Sequence, residues 1–565
     1  MTILEADRVI ATDVLVVGGG LAGLNAAIAA REKGAEVLIL DKGAIARSGS
    51  IGGGIDHFSA YLKSGPEWDT REAWLTQFAR IARGAGDLRV HNAIYCRELA
   101  ATIARMARLG SPLTQPDGTY FRTKSLGRAG SYTINFDGKD LKPRLARQAR
   151  RLGARALEKF ATTSLLTAGR RVVGATAFHL RTGEFVAAMA KAIVLSTGKT
   201  VRIFENPMGM PFNAWQCPAN TGAAQAMAFR AGAVLVNMEY IRISLVPRGF
   251  SAPGLNAFIG AGGQFINGLG EAFMGRYHPA GMQGPRYVLA EGALTELREG
   301  RGPIYVDCRH IPEAALHHLK GTLGLDKDTL PDFIRQRGVD LANQPLELMV
   351  SEGVLGGPCE CVGSGVHIDE SCAATVPGLF AAGDCADQAS TCAQSTTSGY
   401  AAGKAAARYA VAQATPPEAD DRQVKDEKAR VFAPLKRRKG IPPREIEDIL
   451  GKVMWQYVGV ARNAAGLQTA LDKLREVESY AQRLRAENLH YLLRSVEVQD
   501  LVQVGQITAR AALERKESRF SVYHRRTDFP NTDDENWCGL VLVRKAGDSF
   551  DLSFKPLDYT QIPEE

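Results

Sequence analysis

The segment 12–27 constrains the fold more than any other part of the chain. An apolar run of strand length leads directly into the pattern Gly-x-Gly-x-x-Gly at Gly18, Gly20 and Gly23, and an Ala-rich segment of helical character follows. Gly18 permits a tight turn, Gly20 lets a diphosphate approach bare backbone, and Gly23 lets the helix pack closely on the strand. We therefore predict a dinucleotide site with the diphosphate at the helix N-terminus.

A second apolar run, 36–40, supports this interpretation because it ends in an acidic residue. Asp41 follows the glycines by about 20 residues, the spacing at which a carboxylate can hold a ribose hydroxyl. Glycine-rich loops often serve only as turns. The order strand, glycines, helix, strand and acid makes the dinucleotide site the better interpretation.

The bulk composition is typical of a large globular protein with several domains. The chain has 565 residues, 45% of them hydrophobic and 23% charged, with a formal net charge of +8 and nine cysteines. Basic clusters such as 436–439 are more typical of solvated faces than of a nucleic-acid interface, and no recognised module accompanies them. We expect no membrane span and no secretory signal. The odd, scattered cysteines favour a reducing compartment, so the cytoplasm is the expected location.

The order of patterns along the chain predicts an interrupted α/β domain. Dinucleotide-domain character occupies 1–235 and returns at 346–415, and the glycine-rich stretch 236–345 between them indicates an inserted domain. Amphipathic helical patterns follow in 416–515, and a polar, loop-rich tail covers 516–565. We therefore expect an α/β fold, α+β overall, with a Rossmann-like domain, an insertion and a C-terminal helical domain.

Three separated segments, 16–23, 194–198 and 378–384, together resemble the flavoprotein subunits of the fumarate reductase and succinate dehydrogenase family. The similarity extends through 220–233 to 515–519 and 533–537, so it covers nearly the whole chain. Within that family, 298–307 is most similar to the alpha subunit of adenylylsulfate reductase. The resemblance implies FAD, a capping domain over the flavin, and a small ferredoxin-like partner that carries iron–sulfur clusters, hence a hetero-oligomer.

The resemblance also assigns residues to the cofactor. The glycines would cradle the FAD diphosphate, Asp41 would bind the adenosine ribose, Asp384 would hold the ribityl chain, and the helix that carries Ser398 would point N–H groups at the flavin. Relatives with covalent flavin have a His in the loop that here reads Arg-Ser-Gly-Ser-Ile, so we expect non-covalent FAD. No metal site is predicted. The expected FAD residues are Gly18, Gly20, Leu21, Ala22, Gly23, Asp41, Lys42, Ser48, Gly49, Gly52, Thr197, Gly198, Gly383, Asp384 and Ser398.

The chain departs from its dicarboxylate relatives at their substrate-binding groups. Their His-Pro-Thr-Gly is absent after the strand 238–244, and Glu352 stands where they have a His before Met-Gly-Gly. Succinate and fumarate are therefore rejected as substrates. Arg248 matches an arginine near the flavin of adenylylsulfate reductase and Trp215 an aromatic of its substrate channel, but 358–361 replaces that enzyme's active-site His.

The remaining candidates for chemistry each have a structural alternative. Cys359 and Cys361 are a thiol pair that could react with substrate or flavin, or two small residues buried in a tight loop. Arginines could bind an anion bidentately or tie two domains together. Trp215 could stack on substrate or lie in the core, and Glu352 could move protons or make a structural hydrogen bond. The predicted catalytic set is Arg248, Glu352, Cys359, Cys361, Trp215 and Arg242.

Together these observations predict an FAD-dependent oxidoreductase. We expect a flavoprotein subunit that exchanges electrons with a ferredoxin-like iron–sulfur partner and acts on a small anionic substrate. The alternatives are an adenylylsulfate reductase, a non-catalytic electron-transfer flavoprotein and an oxidase that uses O₂ directly.

Overall fold

The computed structural model describes residues 5–125, 127–207, 216–250, 254–325, 328–359, 361–388, 390–413 and 418–564. Strands dominate the first part of the chain, with helices between them. The elements before residue 200 are β1 (Arg8–Val17), α1 (Leu21–Glu32), β2 (Val37–Asp41), β3 (His57–Ser59), α2 (Arg71–Ile81), α3 (Leu88–His91), α4 (Arg97–Arg108), β4 (Arg122–Thr123), β5 (Thr133–Asn135), α5 (Leu141–Arg151), β6 (Arg155–Glu158), β7 (Phe160–Ala168), β8 (Arg171–His179) and β9 (Phe185–Leu195).

The middle of the chain alternates short strands with helices. Its elements are α6 (Ala223–Arg230), β10 (Leu235–Val236), β11 (Ile241–Arg242), β12 (Leu245–Pro247), α7 (Leu255–Gly260), β13 (Gln264–Ile266), α8 (Arg286–Arg298), β14 (Ile304–Asp307), α9 (Glu313–Thr322), α10 (Thr329–Gln336), β15 (Leu346–Val350), β16 (Val354–Leu355), β17 (Gly365–Val366), β18 (Leu379–Ala381) and α11 (Cys392–Val411).

In the described part of the chain, seven strands form the central sheet in the order β6-β2-β1-β9-β8-β7, with β18 paired to β9. The strands β6, β2, β1, β9 and β18 run parallel, whereas β7 and β8 form an antiparallel edge. The apolar run of β1 is buried on both faces, as expected for an inner parallel strand. The architecture is therefore α/β, and the predicted fold class is confirmed.

The parallel strands place the chain's glycine turn at one edge of this sheet. Val17, Asp41 and Leu195 end neighbouring strands, so the loops that follow them meet at the carboxyl edge, where open α/β sheets bind ligands. Two helices pack closely there because small residues face each other. A Cβ atom at Gly399 or Gly403 of α11 would lie 2.3 Å or 2.2 Å from a carbonyl oxygen of α1.

The inserted segment 236–345, which we call the capping region, contributes three strands to a second, antiparallel sheet. Its order is β12-β15-β14-β13, and the helices α7–α10 lie between or beside these strands in the sequence. The strand β15 begins at Leu346, one residue beyond the expected end of the insertion at 345. This sheet therefore draws five residues from the segment that the sequence assigns to the returning FAD domain.

The last part of the chain contains long helices and a returning hairpin. Its elements are α12 (Asp421–Lys436), α13 (Pro443–Val458), β19 (Ala461–Arg462), α14 (Ala464–Ala481), α15 (Leu489–Glu514), β20 (Arg525–Arg526), α16 (Asp534–Trp537), β21 (Gly539–Ala546) and β22 (Ser549–Pro556). The expected loop-rich tail instead forms the β21–β22 hairpin, and β21 pairs with β10. Within the described residues, no helix has the length and apolar character needed to cross a membrane.

Candidate functional site

A cavity of about 980 Å³ lies at the carboxyl edge of the central sheet. Its walls come from the glycine turn, the loop after β2, the loop after β9, the start of α11 and the capping region. A cavity of this size is at the upper end of those that hold small molecules and cofactors. The loops that the sequence predicts to bind a dinucleotide therefore surround one space.

The three glycines of the turn have the geometry that their predicted roles require. Gly18 has φ +97°, which a residue with a side chain rarely adopts. A Cβ atom at Gly23 would lie 1.8 Å from the carbonyl oxygen of Gly18, so only glycine lets α1 start this close to β1. Gly20 leaves open backbone, since its nearest neighbour would be 3.8 Å from a Cβ atom.

The N-terminus of α1 opens on the cavity without a side-chain cap. Its N-cap is Gly20, and Leu21 and Ala22 of its first turn line the cavity. The unpaired N–H groups of a helix N-terminus and its dipole favour an anion. The backbone here therefore suits the diphosphate of a dinucleotide.

Asp41 lies at the end of β2 and is held by its surroundings. Its carboxylate accepts hydrogen bonds from the backbone N–H groups of Gly19 and Gly43, both at 2.6 Å, and from Ser48 Oγ at 3.1 Å. A carboxylate has about four acceptor positions, so one remains for a ribose hydroxyl. The neighbouring Lys42 also lines the cavity and pairs with Glu497 of α15 at 2.9 Å.

The opposite wall comes from the loops after β9 and β18. Thr197, Gly198, Gly383 and Asp384 line the cavity there. Asp384 Oδ2 lies 3.1 Å from Lys199 Nζ, and burial lowers the pKa of this lysine although the carboxylate opposes that shift.

The start of α11 also faces the cavity. Thr391, Cys392 and Ser395 line it, and the N-cap residue Thr391 makes no capping hydrogen bond. The buried Thr391 Oγ1 has no hydrogen-bond partner among the described residues, which fits a ligand that supplies one. Ser398 is fully buried outside the cavity, where its Oγ accepts the N–H of Gly383 at 3.1 Å. It therefore supports the loop and does not line the cavity.

Two arginines of the capping side line the same cavity. Arg242, at the end of β11, donates from Nη1 to Ser390 Oγ at 2.9 Å. Arg286, at the start of α8, donates to Ser244 Oγ at 3.4 Å and to Asn256 Oδ1 at 2.8 Å. Both guanidinium groups are near the buried Tyr523, whose pKa is raised by burial although the two arginines oppose that shift. We refer to Arg242 and Arg286, which line the cavity from the capping side, as the cationic cluster.

The other predicted catalytic residues lie elsewhere. Arg248 is on the surface, with 62% of its side chain exposed, and pairs with Glu347 at 2.7 Å. Glu352 is buried in the loop before β16 and is absent from the cavity lining. Trp215 lies outside the described residues. Of the predicted catalytic set, the structure places only Arg242 among the described lining residues of the cavity.

The cysteine pair also lies outside the cavity lining. Cys361 is fully buried, and its Sγ accepts hydrogen bonds from Arg128 Nη2 at 3.0 Å and Gln394 Nε2 at 2.9 Å. Its φ of +77° is unusual for a residue with a side chain. Cys359 is half-buried. The environment of Cys361 therefore resembles that of a buried, hydrogen-bonded structural thiol.

Sequence reasoning missed Lys199, Asn256 and Arg286. Lys199 follows the end of β9 by four residues, and its place directly after the Thr-Gly turn was a usable signal. Arg286 follows Gly-Pro at the start of α8, a position that favours a pre-organised helix start. Neither pattern reveals which cavity the side chain reaches.

The residues present fit a bound FAD. The glycine turn and the uncapped helix N-terminus suit its diphosphate, and the acceptor at Asp41 suits its ribose. At the opposite wall, Thr391 Oγ1 has no hydrogen-bond partner among the described residues. Among the expected FAD residues, Gly23 and Ser398 are absent from the lining because they shape the loops behind it.

Comparison with known families agrees with this site. Residues 13–402 match the family model described as FAD binding domain, and residues 447–565 match the one described as fumarate reductase flavoprotein C-term. The first model alone spans more than half of the chain, and it contains the glycine turn, the capping region and the first half of α11.

Similar proteins cover nearly the whole chain. An uncharacterized FAD-dependent oxidoreductase of Methanocaldococcus jannaschii is 26% identical over 97% of this chain and 98% of its own. A fumarate reductase (CoM/CoB) subunit of Methanothermobacter marburgensis is 27% identical over 95% of this chain and 98% of its own.

Among solved structures, adenylylsulfate reductase from Archaeoglobus fulgidus superposes with a TM-score of 0.87 at 26% identity, covering 99% of this chain and 97% of that one. The glycine turn, a cavity whose residues fit FAD and the two family matches support one conclusion. This chain is an FAD-dependent oxidoreductase that belongs to the fumarate reductase and succinate dehydrogenase flavoprotein family.

Proposed function

We propose that this chain is the flavoprotein subunit of a two-component enzyme that oxidises or reduces a small anionic substrate. The observation that carries the proposal is the position of Arg242 and Arg286 in the wall of the cavity that also contains the FAD cradle. The substrate would lie between the FAD domain and the capping region, where guanidinium groups bind carboxylate, sulfonate or phosphate oxygens bidentately.

The cavity residues have separate roles in this proposal. Bound FAD supplies two-electron chemistry that can be coupled to one-electron carriers. Arg242 and Arg286 orient the substrate anion, and the bonds to Ser390 and Asn256 fix the guanidinium planes. Lys199 holds the carboxylate of Asp384 in the wall through their pair. The capping region excludes water from the reacting atoms.

The electrons would come from or go to a separate iron–sulfur protein. Among the described residues, no group of three or more His, Cys, Asp or Glu side chains is placed to hold a metal ion. A ferredoxin-like partner would supply the clusters, and one relative is itself named as a subunit. The nine cysteines are odd in number and scattered along the chain, which supports a reducing compartment such as the cytoplasm.

The test uses the FAD-loaded enzyme under anaerobic conditions. The enzyme is reduced with dithionite and mixed with a panel of anionic acceptors while flavin absorbance reports reoxidation. We expect one acceptor class to react, and Arg286→Met to slow it about 10- to 100-fold, because a hydrogen bond to a charged group contributes about 1.5–3 kcal/mol.

The matched control is Arg309→Met, which removes a half-exposed arginine of the capping region outside the cavity lining. It should leave the reaction unchanged. If no anion reacts with the loaded enzyme or perturbs its flavin spectrum, the non-catalytic electron-transfer flavoprotein becomes the better description. Rapid reoxidation by O₂ with peroxide formation would instead indicate an oxidase.

Adenylylsulfate reduction is the second candidate because a solved reductase of that activity has the same fold along 99% of this chain. AMP- and sulfite-dependent reduction of an artificial electron acceptor tests it directly. The loss of Arg286 should abolish that reaction if the nucleotide phosphate binds at the cationic cluster. Absence of the reaction in the wild-type, FAD-loaded protein would remove this candidate.

A further inference from the structure

The cavity continues from the cationic cluster into the capping region. The lining there is mostly uncharged. Among the described residues between 250 and 330, only Arg286 contributes a charged side chain to it. The lining residues of this region are Phe250, Gly254, Leu255, Asn256, Ala257, Arg286, Thr322, Leu323, Thr329 and Leu330. We refer to Phe250, Leu255, Leu323 and Leu330 as the apolar wall.

Contacts within the capping region show how the members of the apolar wall are held. A Cβ atom at Gly254 would lie 2.7 Å from Leu330 Cδ2 and 3.3 Å from Leu323 Cδ2. The two leucines therefore close around the residue that precedes Leu255. Phe250 stacks on Phe333 of α10 with ring centroids 4.7 Å apart. The wall is thus braced by α7 and α10.

The apolar wall adjoins the cationic cluster through one short helix. Asn256 of α7 accepts the hydrogen bond from Arg286 Nη2 at 2.8 Å, and its neighbours in sequence, Leu255 and Ala257, line the cavity beside it. The helix α7 therefore presents to the cavity both Asn256, which accepts from a guanidinium group, and an apolar surface formed by its neighbours. A ligand held by Arg286 meets uncharged side chains directly beyond its anionic group.

We propose that the substrate is an amphipathic monoanion, with its anionic group at Arg242 and Arg286 and an uncharged hydrocarbon or aryl body against the apolar wall. This inference rests on the proposed function and adds the substrate class to it. Among the described lining residues between 250 and 330, none besides Arg286 carries a charge that could pair with a second charge at the far end, which would lose hydration without a partner and is therefore disfavoured. An apolar body gains affinity there for each methylene group removed from water.

The experiment compares two acids of equal length. Hexanoate and adipate are titrated into the FAD-loaded protein, and the change in the visible flavin spectrum gives each dissociation constant. Hexanoate should bind at least about 10-fold more tightly than adipate, because only adipate places a second charge against the wall. Across propionate, butyrate and hexanoate, affinity should rise about three- to fourfold per methylene group.

A substitution that adds a charge to the apolar end should reverse this preference. Thr322 is half-buried in the last turn of α9 and lines the cavity. In Thr322→Lys, adipate should bind more tightly than hexanoate. Thr295→Lys is the matched control, since Thr295 is half-buried on α8 outside the cavity lining. FAD content and thermal unfolding show whether each variant is folded.

The outcomes separate this inference from the proposed function. Suppose that the acids bind, that Arg286→Met lowers the affinity for all of them, and that wild type binds adipate at least as tightly as hexanoate. The amphipathic substrate class is then overturned, and the anion site is supported. If no acid perturbs the flavin spectrum, or Arg242→Met and Arg286→Met leave every affinity unchanged, the anion site itself fails. If Thr322→Lys prefers hexanoate as strongly as wild type does, the hydrocarbon body of the acid does not lie against the apolar wall, and the inference is also overturned.

Discussion

Position 23 has no room for a side chain. A Cβ atom there would lie 1.8 Å from the carbonyl oxygen of Gly18 and 2.7 Å from Ser196 Oγ, so Gly23→Ala must push α1 away from β1. We expect this overpacking to lower the free energy of unfolding by about 1–3 kcal/mol. It should also weaken FAD binding, because α1 carries the N–H groups that face the diphosphate. Urea denaturation and FAD titration measure the two effects.

Gly321 provides the control for this substitution. It lies in α9, and nothing lies within 4 Å of the position of its missing Cβ atom. Gly321→Ala should therefore be neutral or stabilising by up to about 1 kcal/mol, since Ala favours helix more than Gly does. Equal behaviour of the two variants would contradict the steric argument.

Lys142 makes the stability of this chain depend on alkaline pH. Its side chain is fully buried and donates to Ile45 O and Ser48 Oγ, beneath the loop that follows Asp41. Burial lowers its pKa from 10.5 to about 8. Between these values the unfolded chain binds a proton that the folded chain does not, so this lysine's contribution to folding improves as pH rises.

We therefore expect wild type to gain stability relative to Lys142→Met by about 3 kcal/mol over that interval. The measurement is urea denaturation of both proteins below pH 8 and near pH 10.5. Lys452→Met, at an exposed position of α13, should follow wild type throughout. A constant difference between wild type and Lys142→Met would show that the lysine titrates normally in the fold.

At the residue scale, the sequence predicts those groups whose role depends on local backbone. Gly18, Gly20 and Gly23 are recognisable because a strand, a turn and a helix impose their spacing within six residues. Arg286 is not, because it reaches the cavity only through the way α8 lies in the capping region. Arg248 shows the converse, since alignment with a relative cannot reveal that its side chain points to solvent.

At the scale of elements, the C-terminal end of α15 ties three parts of the fold together. Arg515 is fully buried and lies 2.7 Å from both Glu239, before β11, and Glu517, in the tail. It also donates to the carbonyl oxygen of Gly539 at the start of β21. Arg515→Met would leave the buried carboxylate of Glu239 without its ion-pair partner, whereas Glu517 would keep its pair with Arg519, so we expect a loss of about 3–5 kcal/mol of stability.

Chemical denaturation of Arg515→Met tests this element-scale role. Arg475→Met is the matched control, because Arg475 pairs with Asp472 on the exposed face of α14 and such pairs contribute little. A small effect of Arg515→Met would contradict this role, since other contacts such as those of Arg526 with the carbonyl oxygens of α15 would then be sufficient.

The same hairpin shows what pattern reasoning overlooks between elements. The strand β22 alternates exposed and half-buried residues, with Phe550, Leu552 and Phe554 on the half-buried face, so half of its positions are as polar as a loop. Its partner β21 carries the apolar run Leu540–Val543 and pairs with β22 along its whole length, but with β10 at only two residues. The hairpin therefore has a local signal in its alternation and apolar run, whereas its pairing with β10, about 300 residues earlier, has none.

At the scale of the whole molecule, the cavity is assembled from segments that are far apart in sequence. The turn after β1, the insertion and α11 each contribute a wall, so binding of FAD should stabilise the entire assembly. At a free FAD concentration 100 times its dissociation constant, the expected gain is about 2.7 kcal/mol. Thermal unfolding at increasing FAD concentration should show one cooperative transition whose Tm rises. In Gly23→Ala the same FAD concentrations should raise the Tm less.

Whether FAD is attached only by these contacts is tested by precipitation with acid. The loop at 47–51 contains no His, so flavin should appear in the supernatant and the pellet should be colourless. The alternative attachment point is His57, which lines the cavity with its Nδ1 2.7 Å from Asp56. Flavin that stays in the pellet of wild type but not of His57→Gln would show covalent attachment there. Equal release from both proteins would leave the glycine cradle and Asp41 as sufficient to hold the cofactor.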